Sequence, residues 1–227
     1  MGLIRSLQNY DDPNSLASRF RRKRSRHVRA LIEAIFRETG ACRIVDLGGR
    51  PEYWKMFERP FLEAHGVHVT CVNYGAELAP IDDPMFTLTE GSACDLHQFA
   101  DGAFDLVHSN SVVEHVGDWD NVEAFAREVC RLAKRYYVQT PYVFFPIEPH
   151  FSAVFFHWLP EPVRAEILTR RTLGFMPGKA ANMGDAMRAV QHARLLSKRM
   201  FRYLFQDAQF PDEQVVGLTK SLIAVRA

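Results

Sequence analysis

The sequence predicts an α/β fold in which helices cover a mostly parallel sheet. Short β-branched runs alternate with longer amphipathic segments along the 227 residues, and this alternation is typical of parallel strands joined by right-handed crossovers. The first run, residues 43–47, ends in an acidic residue and is followed by Gly48-Gly49. Glycines at the end of a first parallel strand let the backbone turn sharply and approach a ligand closely. We therefore expect a nucleotide site at this loop.

Hydrophobic periodicity places the other elements. The predicted strands after the first cover residues 67–72, 86–89, 104–109 and 135–140, with apolar runs at 213–218 and 221–225. The predicted helices cover residues 15–38, 52–65, 118–134 and 194–205. Asp118 is expected to cap the third helix. Because Thr219-Lys220 is too short for a parallel crossover, the last two runs are predicted to pair antiparallel.

Two segments stand apart from this alternation. Residues 1–40 are predicted to form an N-terminal basic helix and cap, and residues 41–227 the main domain. Its residues 141–192, rich in proline and aromatic side chains, are predicted to form an insertion that covers the strand ends. Two interpretations of the basic helix remain open: a solvated face, or a flap that contacts an anionic substrate, a cofactor carboxylate or a membrane surface. Its arginine stripe consists of Arg19, Arg22, Arg26 and Arg29.

Composition disfavours several classes of protein. The net charge of +1 predicts no general attraction to nucleic acid. No apolar run approaches the roughly 20 residues that a membrane helix needs, which leaves weak peripheral contact as the only membrane interaction under consideration. The four cysteines show no CxxC pair and no zinc-ligand spacing, so we expect a reduced, cytoplasmic protein without a metal site.

The glycine loop also discriminates between nucleotide cofactors. A dinucleotide site would show GxGxxG and an acidic residue about 20 positions further on. Here the loop reads Gly48-Gly49-Arg50-Pro51-Glu52, and the second strand ends in Asn73. The sequence therefore disfavours NAD.

Four segments together resemble the class I S-adenosylmethionine-dependent methyltransferases, particularly the bacterial type 11 family. They are Asp46-Leu47-Gly48-Gly49 with Trp54, Gly91-Ser92-Ala93-Cys94-Asp95, the fourth-strand segment Phe104–Val116, and the terminal strand pair with Gly217–Ala224. The resemblance covers about residues 15–227. It implies a Rossmann-like, seven-stranded, mostly parallel sheet in the order 3-2-1-4-5-7-6, with the last strand antiparallel and a helical, aromatic insertion after strand five.

The resemblance implies S-adenosylmethionine as cofactor and a set of residues that contact it. These are Asp46, Gly48, Gly49, Arg50, Asn73, Tyr74, Asp95, Ser109 and Asn110. Asp95 occupies the position that approaches the adenine amino group in this family. Two positions depart from the family pattern. Arg50 replaces a glycine and either reaches the methionine carboxylate or points to solvent. Asn73 replaces an acid, so its ribose hydrogen bonds lack charge assistance.

Two groups of residues are candidates for catalysis. His115 follows Glu114 just beyond the fourth strand, where it serves either as a base or as a structural histidine that fixes the loop. Glu148 and His150 follow the fifth strand between stiffening prolines, and they either face a substrate or belong to a rigid aromatic lid. A positioned base helps a hydroxyl nucleophile lose its proton.

The predicted function is methyl transfer to a small-molecule, glycan or lipid acceptor, with oxygen favoured over nitrogen as the nucleophile. The alternative is a methyltransferase-fold protein that binds the cofactor, has lost turnover and acts through a partner. A nucleic-acid substrate is not expected, because the amino-methylating signature Asn/Asp-Pro-Pro-Tyr is absent after the fourth strand.

Overall fold

The structure is a computed structural model that describes residues 16–75, 81–174 and 176–227. Its strands are β1 Cys42–Leu47, β2 Val67–Asn73, β3 Phe86–Glu90, β4 Leu106–Asn110, β5 Arg135–Pro141, β6 Ile147–Glu148, β7 Ala153–Val154, β8 Glu213–Val215 and β9 Leu218–Arg226. Its α-helices are α1 Leu16–Thr39, α2 Pro51–Trp54, α3 Arg59–Ala64, α4 Trp119–Leu132, α5 Glu161–Arg170, α6 Met183–Gln191 and α7 Lys198–Leu204. Single 3₁₀ turns occur at Val113–His115 and Phe156–Trp158. Residues 1–15 of the predicted N-terminal cap lie outside the described residues.

Seven strands form one sheet in the order β3-β2-β1-β4-β5-β9-β8. Strands β1 to β5 pair in parallel, whereas β9 pairs antiparallel with both β5 and β8. Numbered within this sheet alone, the order is 3-2-1-4-5-7-6 with the seventh strand reversed. The predicted Rossmann-like fold is confirmed.

Helices bury both faces of the sheet. On one face α1 packs Val28, Leu31, Ile32 and Ile35 into a core that includes Ile44 of β1. On the other face α4 contributes a row of inward side chains, namely Val122, Phe125, Val129 and Leu132. The α4 helix begins where the Asp118 carboxylate accepts a hydrogen bond from the Asn121 backbone N–H. This confirms the predicted cap, which satisfies an otherwise unpaired donor of the first turn.

Two local predictions are wrong for identifiable reasons. The helix predicted over 52–65 is divided into α2 and α3, because Pro60 in the first turn of α3 cannot continue a preceding helix. The connection between the last two strands is not Thr219-Lys220, since both residues lie inside β9. The chain turns instead at Val216-Gly217, with φ of 50° and 79°. Two successive positive φ angles are those of a tight two-residue hairpin turn.

The predicted insertion lies where β5 ends. It contains the β6–β7 hairpin, α5 and α6, and it has a small core of its own that includes Phe151, Phe156 and Leu168. Because β5 is parallel to β4 and β1, the insertion starts at the carboxyl edge of these strands. In the described ranges, no helix combines the length and the apolar character needed to cross a bilayer.

Candidate functional site

The loop after β1 has the shape that its two glycines allow. Gly48 has a φ of +68°, and a Cβ atom there would lie 2.5 Å from a Val112 methyl carbon. A Cβ atom on Gly49 would lie 1.9 Å from Asp46 Cγ. The Gly48 N–H donates to the Val72 carbonyl at 2.8 Å. The loop therefore requires glycine at both positions and is fixed to the end of β2.

Asp46 is buried and makes its contacts inside the protein. Its Oδ2 accepts a hydrogen bond from Trp54 Nε1 at 2.8 Å, and its Oδ1 lies 2.7 Å from His108 Nδ1. His108 occupies the register position beside Asp46 on β4, and its ring stacks on Tyr137 with centroids 5.5 Å apart. The carboxylate thus ties β1, α2 and β4 together. Sequence reasoning quoted His108 in the fourth-strand motif but did not select it.

A cleft of about 220 Å³ opens beside this loop. Its lining comprises Asp46, Gly48, Gly49, Arg50, Glu52, Tyr53, His108 and Asn110. The Asn110 side-chain oxygen accepts a hydrogen bond from Arg24 Nη1 at 3.3 Å, and Arg24 also forms a buried ion pair with Glu213 at 3.2 Å. Arg24 therefore anchors α1 to the edge of the cleft, while Lys23 and Arg26 on the same helix remain exposed.

Two other predicted cofactor residues hold the glycine loop through hydrogen bonds to its backbone carbonyls. The Asn73 amide donates from Nδ2 to the Gly49 carbonyl at 2.8 Å. The Ser109 hydroxyl is buried and donates to the Leu47 carbonyl at 3.3 Å. Both side chains hold the ends of β2 and β4 against the glycine loop, so the structure shows them as supports of the cleft.

The remaining predicted cofactor residues are at the surface. Arg50 is exposed and occupies the N-terminal cap position of α2, and Tyr74 is 83% exposed. Asp95 is exposed in the loop after β3, where His97 Nδ1 lies 3.1 Å from its Oδ1. This hydrogen bond lowers the pKa of the Asp95 carboxyl. All three are open to a ligand.

The three predicted catalytic residues come together although they belong to two separate segments. His150 Nδ1 lies 2.7 Å from Glu148 Oε1, and His150 Nε2 lies 3.2 Å from His115 Nε2. His115 Nδ1 lies 3.0 Å from the His192 carbonyl oxygen. Carboxylate and carbonyl oxygens only accept, so both Nδ1 atoms carry hydrogen. In the neutral rings, the two Nε2 lone pairs consequently face each other.

Glu114 lies beside these histidines and is completely enclosed. Its Oε2 accepts a hydrogen bond from the Thr140 hydroxyl at 2.9 Å, whereas its buried Oε1 has no hydrogen-bond partner in the part of the chain that the structure describes. Burial raises the pKa of this carboxyl to about 7. Sequence reasoning quoted Glu114 in its motif but did not select it, and nothing local signalled Thr140.

Burial and charge act in opposite directions on the two histidines. Burial lowers the pKa of His115 to about 4. Burial also opposes protonation of His150, but the hydrogen bond and charge of Glu148, helped by the charge of Glu114, outweigh it and raise the His150 pKa. A proton arriving at this pair is therefore held on His150, and its Nε2–H can then donate to His115.

A larger cavity of about 570 Å³ adjoins this cluster. Its lining includes Glu148 and His150 together with Asp118, His157, Arg164 and Arg194. One ligand atom from each of Glu114, His115 and His150 lies within 4.8 Å of the other two, close enough for the three to hold a metal ion. The expectation of a chain without a metal site rested on cysteine spacing, and this group contains no cysteine.

Comparison with known proteins gives one family match and several weakly similar solved structures. A family model described as a methyltransferase domain matches residues 56–136, from just after α2 to the start of β5. A 1,6-didemethyltoxoflavin-N1-methyltransferase from Burkholderia thailandensis, solved with 1,6-didemethyltoxoflavin and S-adenosylhomocysteine, is 14% identical, with coverage of 87% of this chain and 77% of that one and a TM-score of 0.47. No curated protein matches the sequence.

Two further solved structures are similar at the same level. An S-adenosylmethionine-dependent methyltransferase from Methanosarcina mazei is 14% identical over 82% of this chain and 92% of that one, with a TM-score of 0.46. Phosphoethanolamine N-methyltransferase 2 from Haemonchus contortus, solved with S-adenosyl-L-methionine, is 14% identical over 80% of this chain and 38% of that one, with a TM-score of 0.47. The family match over residues 56–136 and the sheet order together support a class I methyltransferase domain that resembles the type 11 family. Such a domain implies S-adenosylmethionine as cofactor.

Proposed function

We propose that the protein transfers the methyl group of S-adenosylmethionine to a hydroxyl oxygen of a small-molecule, glycan or lipid acceptor. The observation that carries this proposal is the hydrogen-bonded array Glu148–His150–His115, with one end open to a 570 Å³ cavity. An oxygen nucleophile needs a base for its proton, and an oriented imidazole next to a cavity provides one.

The glycine loop is the part of the chain that would hold the cofactor. Gly48 and Gly49 allow the tight turn of the loop, because a Cβ atom would collide with Val112 or Asp46. Both glycines line the cleft together with Arg50 and Asn110, so the residues present fit the group. Asn73, Tyr74 and Ser109 complete or support the cleft, and Asp95 is the acceptor proposed for the adenine amino group. When bound, S-adenosylmethionine supplies an electrophilic methyl carbon on a sulfonium, which a nucleophile attacks in line as the carbon–sulfur bond breaks.

The Glu148–His150–His115 array would handle the acceptor's proton. Glu148 holds the Nδ1–H of His150 at 2.7 Å and so directs the Nε2 lone pair away from the carboxylate. After the proton reaches Nε2, Glu148 stabilises the imidazolium and His115 accepts its hydrogen bond. An oriented imidazole of this kind is a recurrent arrangement in enzymes that deprotonate hydroxyl groups.

The walls around the array bear on the acceptor class. Val143, Phe151 and Leu195 contribute apolar side chains to the lining of the cavity. Arg164 and His157 contribute polar groups to the cavity itself. An acceptor with a hydroxyl group on a partly apolar body fits this lining, which supports a small molecule, a glycan or a lipid over a nucleic acid.

The test has two stages. Isothermal titration with S-adenosylhomocysteine should show one binding site per chain, and transfer of a radiolabelled methyl group should be detected with hydroxyl-bearing small molecules, glycans or lipids as acceptors. A chain that binds neither S-adenosylmethionine nor S-adenosylhomocysteine contradicts the proposal. Binding without transfer to any acceptor would instead support the non-catalytic alternative, in which the domain acts through a partner.

A further inference from the structure

The facing imidazoles of His115 and His150 pose a chemical problem. Their Nε2 atoms are 3.2 Å apart, and both Nδ1–H groups are already bonded to oxygen acceptors. Two lone pairs at this separation repel each other unless a proton or a cation lies between them. A shared proton would satisfy this pair of nitrogens alone.

The surroundings of Glu114 favour a cation over a proton between the two Nε2 atoms. Its Oε1 is buried without a hydrogen-bond partner among the described residues, and one of its carboxylate oxygens lies within 4.8 Å of a nitrogen on each histidine. A proton between the imidazoles leaves this oxygen unsatisfied, at the usual cost of a buried unpaired acceptor. A cation between the three groups satisfies all of them.

We propose that Glu114, His115 and His150 bind one divalent transition-metal cation, for which Zn²⁺ is the ion best suited to the donors. Two imidazoles and one carboxylate, with a fourth position open, form a recurrent zinc set in catalytic sites. Nitrogens bound to one tetrahedral zinc lie about 3.3 Å apart, close to the 3.2 Å between the two Nε2 atoms. The Glu114 oxygen, within 4.8 Å, moves inward when the ion binds.

The surroundings of the three ligands match those of a metal centre. Glu148 and the His192 carbonyl hold the Nδ1–H groups of the two histidines, which is the usual way of orienting metal-binding imidazoles. Thr140 donates a hydrogen bond to Oε2 of Glu114 at 2.9 Å and so orients the carboxylate. Glu148 pairs with His150, and the charges of Glu148 and Arg164 also act on each other, so the negative charge that a cation would balance is that of Glu114.

The inference deepens the proposed function and rests on it for the identity of the acceptor. The open coordination position would take the acceptor's hydroxyl oxygen from the cavity. Coordination lowers the pKa of a bound hydroxyl, so its proton leaves to solvent and the task assigned to His150 in the metal-free protein passes to the ion. The acceptor class is then an alcohol whose oxygen can coordinate a metal.

The binding site is tested without cofactor or acceptor. The full chain, stripped with a chelator and dialysed, is titrated with Co²⁺ and then with Zn²⁺. We expect one ion per chain, visible absorption bands of tetrahedral Co²⁺, and their loss as Zn²⁺ displaces it. His115→Ala and His150→Ala should each weaken binding by about 100-fold or more, and Glu148→Gln by about 10- to 100-fold. The matched control is His97→Ala, at the exposed pair with Asp95, and it should leave the metal affinity unchanged.

Equal affinity in the wild type and both histidine variants, or no saturable binding by the wild type, would overturn the site. Circular dichroism establishes that each variant is folded. If a histidine variant is unfolded, Glu114→Gln tests metal binding in the same way. The glutamine side chain has the size of the glutamate, and its amide oxygen still accepts the hydrogen bond from Thr140. Full methyl transfer by the stripped protein would overturn the ion's role in activation and leave the proposed function intact. Metal binding with no methyl transfer at all would contradict the proposed function and not the site.

Discussion

A buried and a partly buried histidine–carboxylate pair in this protein have the same central geometry and different surroundings. Nδ1 of His108 lies 2.7 Å from Asp46, and Nδ1 of His150 lies 2.7 Å from Glu148. Around His108 the rings of Tyr53, Trp54 and Tyr137 have centroids 4.6–5.5 Å from its own and leave the side chain 1% exposed, although the pair also lines the smaller cleft at the glycine loop. Around His150 there are a second imidazole and an open cavity.

If the proposed function is correct, the environment of the second ring nitrogen, and not the pair itself, separates a structural from a chemical role. The enclosed pair fixes the end of β1 against α2 and β4, which keeps the glycine loop in shape. The open pair has a nitrogen that a proton, a metal ion or an acceptor can reach. Each prediction below tests one side of this comparison.

The largest expected effect is on turnover when the open pair loses its imidazole. His150→Gln should lower the rate of methyl transfer by about 100- to 10,000-fold, because the positioned group that removes or directs the acceptor's proton is gone. The affinity for S-adenosylhomocysteine should be unchanged. Steady-state kinetics and calorimetry measure the two quantities, with His68→Gln on the β2 surface as control. A turnover within threefold of wild type would contradict the chemical role proposed for His150.

The next effect is on stability when the enclosed pair loses its carboxylate. Asp46→Ala leaves the Trp54 Nε1–H and His108 Nδ1–H donors buried without an acceptor, and we expect the free energy of unfolding to fall by about 3–5 kcal/mol. Glu148→Ala should cost about 1–2 kcal/mol, because the adjoining cavity admits water to its former partners. Urea unfolding followed by circular dichroism measures both. Equal losses would show that the two pairs do not differ in role.

A smaller effect should follow from adding one methyl group to the loop that the enclosed pair supports. Gly49→Ala places a Cβ atom 1.9 Å from Asp46 Cγ, so either the loop or the carboxylate must move. We expect a loss of about 2 kcal/mol in stability and at least tenfold weaker binding of S-adenosylhomocysteine. Gly178→Ala, where nothing lies within 4 Å of the new atom, is the matched control and should behave as wild type.

The smallest effect concerns the amide behind the loop. Asn73→Ala removes the hydrogen bond to the Gly49 carbonyl, worth about 1 kcal/mol, and also removes a candidate ribose contact. We expect the dissociation constant of S-adenosylhomocysteine to rise about fivefold, measured by calorimetry. An unchanged constant would remove Asn73 from the cofactor site.

The fold was predictable from sequence because its signals are local. Strand and helix periods, the acidic residue before Gly48-Gly49 and the cap at Asp118 each depend on a few neighbouring residues, and the resemblance supplied the strand order. The last turn was missed because Val216 adopts a positive φ, a conformation that is a genuine outlier for a β-branched residue.

The site was predictable in parts and not as a whole. His115, Glu148 and His150 were selected as two separate groups, and only the folding of the insertion brings His150 against His115. Glu114 and Thr140 meet across the gap between the first 3₁₀ turn and β5. Arg24 belonged to a helix whose charges suggested a solvated face, yet it is buried because Glu213, near the other end of the chain, neutralises it. Such long-range partners leave no trace in local spacing.

The most direct measurement is a crystal structure of the chain with S-adenosylhomocysteine. The account predicts that the ligand's sulfur lies over Gly48-Gly49 and that the vacated methyl position faces the cavity within reach of an acceptor held by His150 and His115. A ligand whose sulfur points away from this cluster, or one bound outside the glycine loop, would contradict the account.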